Sequence, residues 1–150
     1  MSAQNIFAID LTVFVSANLY NLFLTVVFLA RTRGAKGLER RLGLLSVLLG
    51  IPLLTAAVLN ASGQRDWWAI VLPLPTALHC LVELFVDYLR PSDFRQTRWL
   101  WPYLVLFYLG QWLLVGYAFL VSQTFGILTL VTYFICLAAT FYSYRKVKHG

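Results

Sequence analysis

"WWAIVLPLPTALHCLVELFVDYL", residues 67–89, is apolar along most of its length but contains three ionisable side chains. About 20 consecutive, mostly apolar residues are enough for a helix to cross the hydrocarbon core of a bilayer. His79, Glu83 and Asp87 recur at every fourth position, so a helix places them along one face. The segment therefore predicts a membrane helix with a polar stripe, and this pattern extends to the rest of the chain.

The whole chain consists largely of apolar segments. It has 150 residues, of which 60% are hydrophobic and 12% charged, and its mean hydropathy is +0.74. A soluble domain of this size cannot bury so much apolar surface. We predict five spans, at residues 7–30, 42–61, 67–89, 99–121 and 125–144. The expected fold class is an all-α integral membrane protein, a five-transmembrane-helix bundle that forms a single transmembrane domain over residues 1–150.

The basic residues predict how this bundle is oriented. All but one of the 12 follow the first, third or fifth span: Arg31, Arg33, Lys36, Arg40, Arg41, Arg90, Arg95, Arg98, Arg145, Lys146 and Lys148. Only Arg65 lies on the opposite side. The positive-inside rule then places the N-terminus outside and the C-terminus in the cytoplasm. The net charge of +6 reflects this topology, so we expect a multi-pass protein of the plasma (inner) membrane that has the lipid bilayer, and no nucleic acid, as a partner.

The polar stripe of the third span is predicted to face inward. Thr76, His79, Glu83, Asp87 and Arg90 fall within an arc of roughly 80° on a helix. Glu83 or Asp87 facing lipid near the midplane would cost roughly 3 kcal/mol each. We therefore expect these groups to face other helices or a wet cavity. Asp87 has a local alternative, an ion pair with Arg90 one turn further on.

Other spans offer polar residues that match this stripe. In the first span, Asp10, Asn18, Asn21 and Thr25 share an arc of roughly 80°. We predict a ligand- or ion-binding set that crosses the membrane as a ladder: Asp10, Asn18, Asn21, His79, Glu83, Asp87, Gln111 and Tyr133. Chains of carboxylates and imidazoles at such positions are typical of proton and cation pathways. The alternative for Asn18, Asn21 and Gln111, each taken singly, is a hydrogen bond that holds two helices together.

Prolines and small residues predict how the spans bend and pack. Pro73 and Pro75 should kink or break the third span just above His79 and free backbone carbonyls. Such a break lines a cavity in many membrane proteins, or it only shapes the bundle. Pro52 should bend the second span. That span also carries a stripe of small residues, a candidate dimer interface: Gly43, Ser46, Gly50 and Ala57.

Several chemistries are excluded by the residues present. A haem with two histidine ligands needs a second buried histidine, but His149 lies in the tail. Cys80 and Cys136 have no metal-ligand spacing, no nucleophile or phosphate-binding motif occurs, and no cofactor is indicated. Asn60 begins Asn-Ala-Ser, a match to the glycosylation sequon that carries little weight so close to a span.

His79 and Glu83, one turn apart, carry the functional hypotheses. The first is binding or transmembrane movement of a small ligand or cation, with proton coupling as one form, in a homo-oligomer or a larger complex. The second is a non-catalytic structural or assembly subunit of a membrane complex. The third is a lipid-modifying enzyme that uses this pair in acid–base chemistry, although the residues favour a non-enzymatic role. A polar cavity reaching the pair would favour transport or catalysis, and a dry, fully paired cluster would favour the subunit.

Overall fold

The computed structural model describes residues 1–89 and 97–147, and these residues form an all-helical structure. Five of its helical segments are long and apolar enough to cross a membrane: Ala3–Thr32, Lys36–Ser62, Trp67–Leu89, Leu100–Val121 and Gln123–Val147. The prediction of an all-α bundle with five segments of membrane-spanning length and composition is confirmed. These segments suggest a multi-pass membrane protein. The observed helices extend beyond most of the predicted boundaries.

Helix α1 (Ala3–Thr32) lies at the centre of the bundle. Its first turn is capped by the Ser2 hydroxyl, which accepts a hydrogen bond from the Asn5 N–H at 3.2 Å. The helix packs against α2 (Lys36–Leu48), α3 (Gly50–Ser62), α6 (Leu100–Val121) and α7 (Gln123–Val147). Its polar and small residues therefore meet four other helices.

The second span begins earlier than predicted because the basic segment after α1 is itself mostly helical. Only Arg33 to Ala35 form the turn, in which Gly34 has a φ of +69°, a conformation that glycine adopts without strain. Arg31 Nε lies 2.8 Å from Glu39 Oε1, so an ion pair joins α1 to the first turn of α2. The predicted start of the second span at residue 42 is therefore too late, since the charged residues from Lys36 onward extend the helix beyond its apolar part.

The second span is interrupted at Leu49, between α2 and α3. Pro52, in the first turn of α3, has no N–H to donate to the Leu48 carbonyl, so the helical hydrogen-bond ladder cannot continue there. The helix is therefore interrupted beside Pro52, the residue from which a bend of this span was predicted.

The small-residue stripe of the second span packs inside the chain. A Cβ atom on Gly50 would lie 2.7 Å from the Cβ of Cys80, so the second and third spans meet there at backbone distance. Ser46 and Ala57 are also buried, and the Ser46 carbonyl accepts the Cys80 S–H at 3.8 Å. The interpretation of this stripe as a dimer interface is wrong, because neighbouring helices of the same chain cover it.

The third span consists of three pieces: α4 (Trp67–Val71), α5 (Leu74–Glu83) and a π-helical segment (Leu84–Leu89). The interruption at Leu72 and Pro73 confirms the break predicted from the prolines. The π-helical segment begins directly after Glu83 and was not predicted. π-Helical turns are rare overall, and those that do occur are often at functional sites.

Helices α6 and α7 form an antiparallel hairpin joined by Ser122 alone. The Ser122 hydroxyl accepts the Phe125 N–H at 3.1 Å and so caps α7. On its other side α6 packs against α5, where a Cβ atom on Gly110 would lie 2.8 Å from Thr76 Oγ1. This close approach brings the side chains of α6 against His79.

Candidate functional site

His79 lies at the meeting point of α1, α5 and α6 and is 3% exposed. Its Nδ1 atom is 2.9 Å from the Tyr20 hydroxyl of α1. Its Nε2 atom is 3.6 Å from Oε2 of Glu83, one turn further along. The Tyr103 hydroxyl of α6 donates a hydrogen bond to the same Glu83 oxygen. Tyr20, His79, Glu83 and Tyr103 are called here the His79 cluster.

Aromatic rings enclose the imidazole. The centroids of the Tyr103 and Phe107 rings lie 4.9 Å and 5.0 Å from that of His79. A neutral imidazole has one donor and one acceptor nitrogen. When Tyr20 donates to Nδ1, the imidazole proton is therefore on Nε2 and faces the Glu83 carboxylate. At 3.6 Å this pair is longer than a hydrogen bond, and Nε2 has no hydrogen-bond partner among the described residues.

Two open surface grooves occur in the described part of the chain, and neither reaches the His79 cluster. One is lined by α6 and α7, from Trp101 to Tyr133. The other lies between α1 and α3 and includes Ile9, Thr12 and Pro52. Both linings are mainly apolar. The Glu83 side chain is 21% exposed, so the cluster reaches the bundle surface through the carboxylate.

Asp10 belongs to a second cluster, at the end of the bundle where α1 begins. Its Oδ1 atom is 2.6 Å from Nη1 of Arg65 and 2.6 Å from the Tyr117 hydroxyl. The same Arg65 nitrogen is 3.2 Å from Oδ1 of Asn60. These four residues are called here the Asp10 cluster. Asp10 is 6% exposed, so protein groups and not bulk water surround its carboxylate.

The charge of Arg65 is retained in this setting. Burial alone lowers the pKa of its guanidinium, but the hydrogen bond and the negative charge of Asp10 more than offset this, so the pKa is raised above its usual value. The guanidinium carbon also lies 5.5 Å from the centroid of the Trp68 ring. Asp10 and Arg65 therefore form a largely buried ion pair.

Asn60 supplies the hydrogen bond that Pro73 cannot make. In a continuous helix the N–H of residue 73 would bind the carbonyl of Ala69, but proline has no N–H. The Asn60 side-chain amide donates to that carbonyl at 2.9 Å. The Ala69 carbonyl freed by the broken span is thus bound by a side chain of the neighbouring helix α3. Asn60 is 0% exposed, so its sequon is not accessible for glycosylation in this fold.

We expect Asn60→Ala to lower the free energy of unfolding by about 2 kcal/mol, since it leaves the buried Ala69 carbonyl without a donor. Unfolding in mixed detergent micelles measures this, with exposed Ser62→Ala as the control. In a Pro73→Ala background the new backbone N–H can reach the same carbonyl, so the loss should shrink. An equal loss in both backgrounds would show that the amide has another role.

Asn18 and Asn21 join α1 to α7. The Asn18 amide donates to Thr129 Oγ1 at 3.1 Å and its oxygen accepts from the Thr132 hydroxyl at 2.8 Å. The Asn21 amide donates to the same Thr132 hydroxyl at 3.1 Å. The structure thus agrees with the alternative interpretation of both asparagines as interhelical hydrogen bonds.

Thr132→Val should lower the free energy of unfolding by about 1 kcal/mol, the scale of interhelical hydrogen bonds in membrane bundles. Thr124→Val, at an exposed position in the first turn of α7, is the matched control and should change little. A double-mutant cycle with Asn21→Ala measures the coupling, and strictly additive losses would contradict the assigned contact.

The remaining predicted site residues lie apart from these clusters. Gln111 is 2% exposed, and its Nε2 atom has no hydrogen-bond partner within residues 1–89 and 97–147. The Tyr133 ring packs against Trp112 at 5.6 Å, in the groove between α6 and α7. Asp87 is half-buried in the π-helical segment, and its predicted partner Arg90 lies outside the described residues. The continuous ladder is therefore wrong: the structure divides its members among separate clusters.

The predicted site did not include the tyrosines and the arginine that complete the two clusters. Tyr20 and Tyr103 are aromatic residues in apolar spans, where a hydroxyl gives no periodic signal. Arg65 carried a usable signal, because it is the only basic residue on its side of the predicted bundle. Arg65 and Asp10 are predicted at the same end of the bundle but on different spans. A single cation at the same end as a carboxylate indicates an ion pair between helices.

These contacts define the class of protein: an all-helical bundle of five apolar segments with two buried clusters of ionisable side chains. Comparison with known proteins found no family model, no curated protein and no solved structure that matches the chain. The geometry of the clusters is therefore the basis for a functional proposal.

Proposed function

We propose that the chain is a multi-pass protein of the plasma (inner) membrane, with its N-terminus outside and its C-terminus in the cytoplasm, that binds or moves a small cation at His79 and Glu83. The observation that carries the proposal is the 3.6 Å separation of an imidazole and a carboxylate, each hydrogen-bonded to a tyrosine of another helix. Ionisable groups within a membrane bundle are costly and usually serve a function. The cation that suits this closed cluster is the proton, because it needs no cavity.

The cluster offers an ordered path for that proton. Glu83 is the more exposed member, and His79 is almost completely buried. A proton that reaches Glu83 from solvent lies close to Nε2 of His79, and a small rotation of the carboxylate shortens their separation to a hydrogen bond. Tyr103 holds the carboxylate and Tyr20 holds the imidazole, so both tyrosines act as positioning residues.

Infrared spectroscopy at a series of pH values tests proton binding. We expect a protonated-carboxyl band that Glu83→Gln removes, and Tyr103→Phe should shift the pH at which the band appears, because it removes the hydrogen bond to the carboxylate. Glu39→Gln, in the ion pair outside the apolar part of α2, is the control and should leave that band in place. A spectrum that Glu83→Gln does not change would contradict the proposal.

Proton movement is a separate outcome and needs a separate measurement. Protein reconstituted in vesicles with an internal pH-sensitive dye should dissipate a pH gradient faster than empty vesicles do, and Glu83→Gln should abolish the difference. Rates equal to those of empty vesicles, together with the Glu83 band, would restrict the function to binding.

A second candidate, a structural or assembly subunit of a larger membrane complex, is favoured by one observation. Neither groove described above reaches His79, and the polar groups of the Asp10 cluster are paired with one another. If the cluster is only structural, the decrease in melting temperature caused by His79→Ala should not depend on pH, and neither should the decrease caused by Glu83→Gln. The lipid-modifying enzyme stays a prediction, and neither groove brings a lipid chain to His79.

A further inference from the structure

A groove on the outside of the bundle is separate from both clusters. It lies along one face of α6 and is completed by a single residue of α7, with a volume of about 520 Å³. The groove, called here the aromatic groove, is lined by Trp101, Leu104, Val105, Tyr108, Leu109, Trp112 and Tyr133. It opens away from the bundle, and Trp101 is 72% exposed.

The length of the aromatic groove suits a hydrocarbon chain. From Trp101 to Trp112 it follows α6 for roughly 16 Å, at 1.5 Å per residue. Four of its seven residues are aliphatic or tryptophan side chains exposed on the α6 surface: Trp101, Val105, Leu109 and Trp112. The occupant must therefore be long, thin and apolar along this face.

Basic residues lie at the end of the bundle where the aromatic groove begins. Arg98 precedes α6 by two residues, and Arg145 and Lys146 lie in the last turn of α7. Because α6 and α7 are antiparallel and joined by Ser122 alone, the start of α6 and the end of α7 lie at the same end of the bundle. Three positive charges therefore lie at the end of the bundle where Trp101 begins the groove. The Lys146 ammonium nitrogen lies 5.7 Å from the centroid of the Tyr142 ring, and Tyr142, nine residues from Tyr133, is on the opposite face of α7, so Lys146 contributes charge to this end and not a contact within the groove.

We propose that the aromatic groove binds one acyl chain of an anionic phospholipid, whose phosphate is attracted by the positive charges of Arg98, Arg145 and Lys146 at that end of the bundle. An apolar groove that begins at a basic end of the bundle is complementary to a lipid with an apolar chain and an anionic headgroup. Basic residues beside a membrane attract anionic lipids of the cytoplasmic leaflet, and tryptophan is typical of the headgroup level. The inference rests on the proposed insertion and orientation of the chain, but not on the cation site.

Quenching of tryptophan fluorescence by brominated lipid tests the proposal. The protein is reconstituted in phosphatidylcholine vesicles that contain either brominated phosphatidylglycerol or brominated phosphatidylcholine. The contribution of the groove is the quenching that Trp101→Phe/Trp112→Phe removes. We expect the anionic lipid to be preferred at least fivefold at low salt, the scale of one basic contact, and Arg98→Gln/Arg145→Gln/Lys146→Gln to reduce this preference to near unity.

A matched triple variant separates a site from a general surface charge. Arg33→Gln/Arg40→Gln/Arg41→Gln removes the same charge from exposed residues at the other basic segment and should leave the preference intact. An equal loss in this control would overturn the proposal, as would equal quenching by both lipids. Cross-linking through the groove between two copies, with quenching absent, would assign the groove to a second copy and would also overturn it.

Discussion

Asp10→Ala is expected to lower the free energy of unfolding by about 3 kcal/mol or more. The substitution leaves the Arg65 guanidinium in a largely buried position without its carboxylate, and breaking a buried ion pair by removing one partner typically costs about 3–5 kcal/mol. It also removes the acceptor of the Tyr117 hydroxyl. Unfolding in mixed detergent micelles, followed by circular dichroism, measures the loss.

Two controls distinguish this loss from a general effect of removing charge. Asp66→Asn, at an exposed position beside Arg65, should change stability little, and so should Glu39→Gln in the more exposed ion pair with Arg31. The double variant Asp10→Ala/Arg65→Ala should lose less than the sum of the two single losses, since no buried charge is left unpaired. Additive losses would contradict the assigned ion pair.

Gly110→Ala should destabilise the bundle by about 1–3 kcal/mol, the usual cost of overpacking. The added Cβ would lie 2.8 Å from Thr76 Oγ1 and 3.0 Å from the Thr76 backbone nitrogen, so α5 and α6 must separate. Since Tyr103 and Phe107 of α6 enclose His79, the same displacement should loosen the His79 cluster. Thermal unfolding measures the first effect, and the pH at which the Glu83 infrared band appears measures the second.

The same helix provides a matched control for this substitution. A Cβ atom on Gly116 would meet no atom within 4 Å, so Gly116→Ala should be neutral or stabilising by up to about 1 kcal/mol through helix propensity. Equal destabilisation at both positions would show that the packing of α5 against α6 is not the cause.

The fold was predictable because the length of an apolar segment is a local property of the sequence. Prolines at positions 52 and 73 also act locally, and both interruptions were predicted from them. The first and last residues of the helices were less predictable. Helix α2, for example, continues into charged residues, and one of these, Glu39, forms an ion pair with Arg31 of α1. The inward packing of Gly50 depends on its neighbour Cys80, and no pattern within one span contains that information.

The candidate site was predictable only within a single helix. The pairing of His79 with Glu83 was predicted from their spacing of four residues in one helix. Tyr20 and Tyr103 lie on two other helices, so no spacing within one helix predicts their contacts with this pair. The predicted ladder failed because a helical wheel does not show which residues lie between two polar groups, or which neighbouring helix each group meets. Asp10 and Asn21 share an arc but are about 16 Å apart along α1, and Val13 and Ala17, buried between them, are apolar.

The Asp10 cluster has a consequence for the order in which the protein is made. Asp10 and Tyr117, which meet through one hydrogen bond, are 107 residues apart in the chain, and Asn60 and Arg65 are synthesised between them. A nascent chain still attached to the ribosome before residue 117 therefore carries Asp10 and Arg65 without their tyrosine. The cluster can close only after α6 has been synthesised, and the bundle is then complete except for α7.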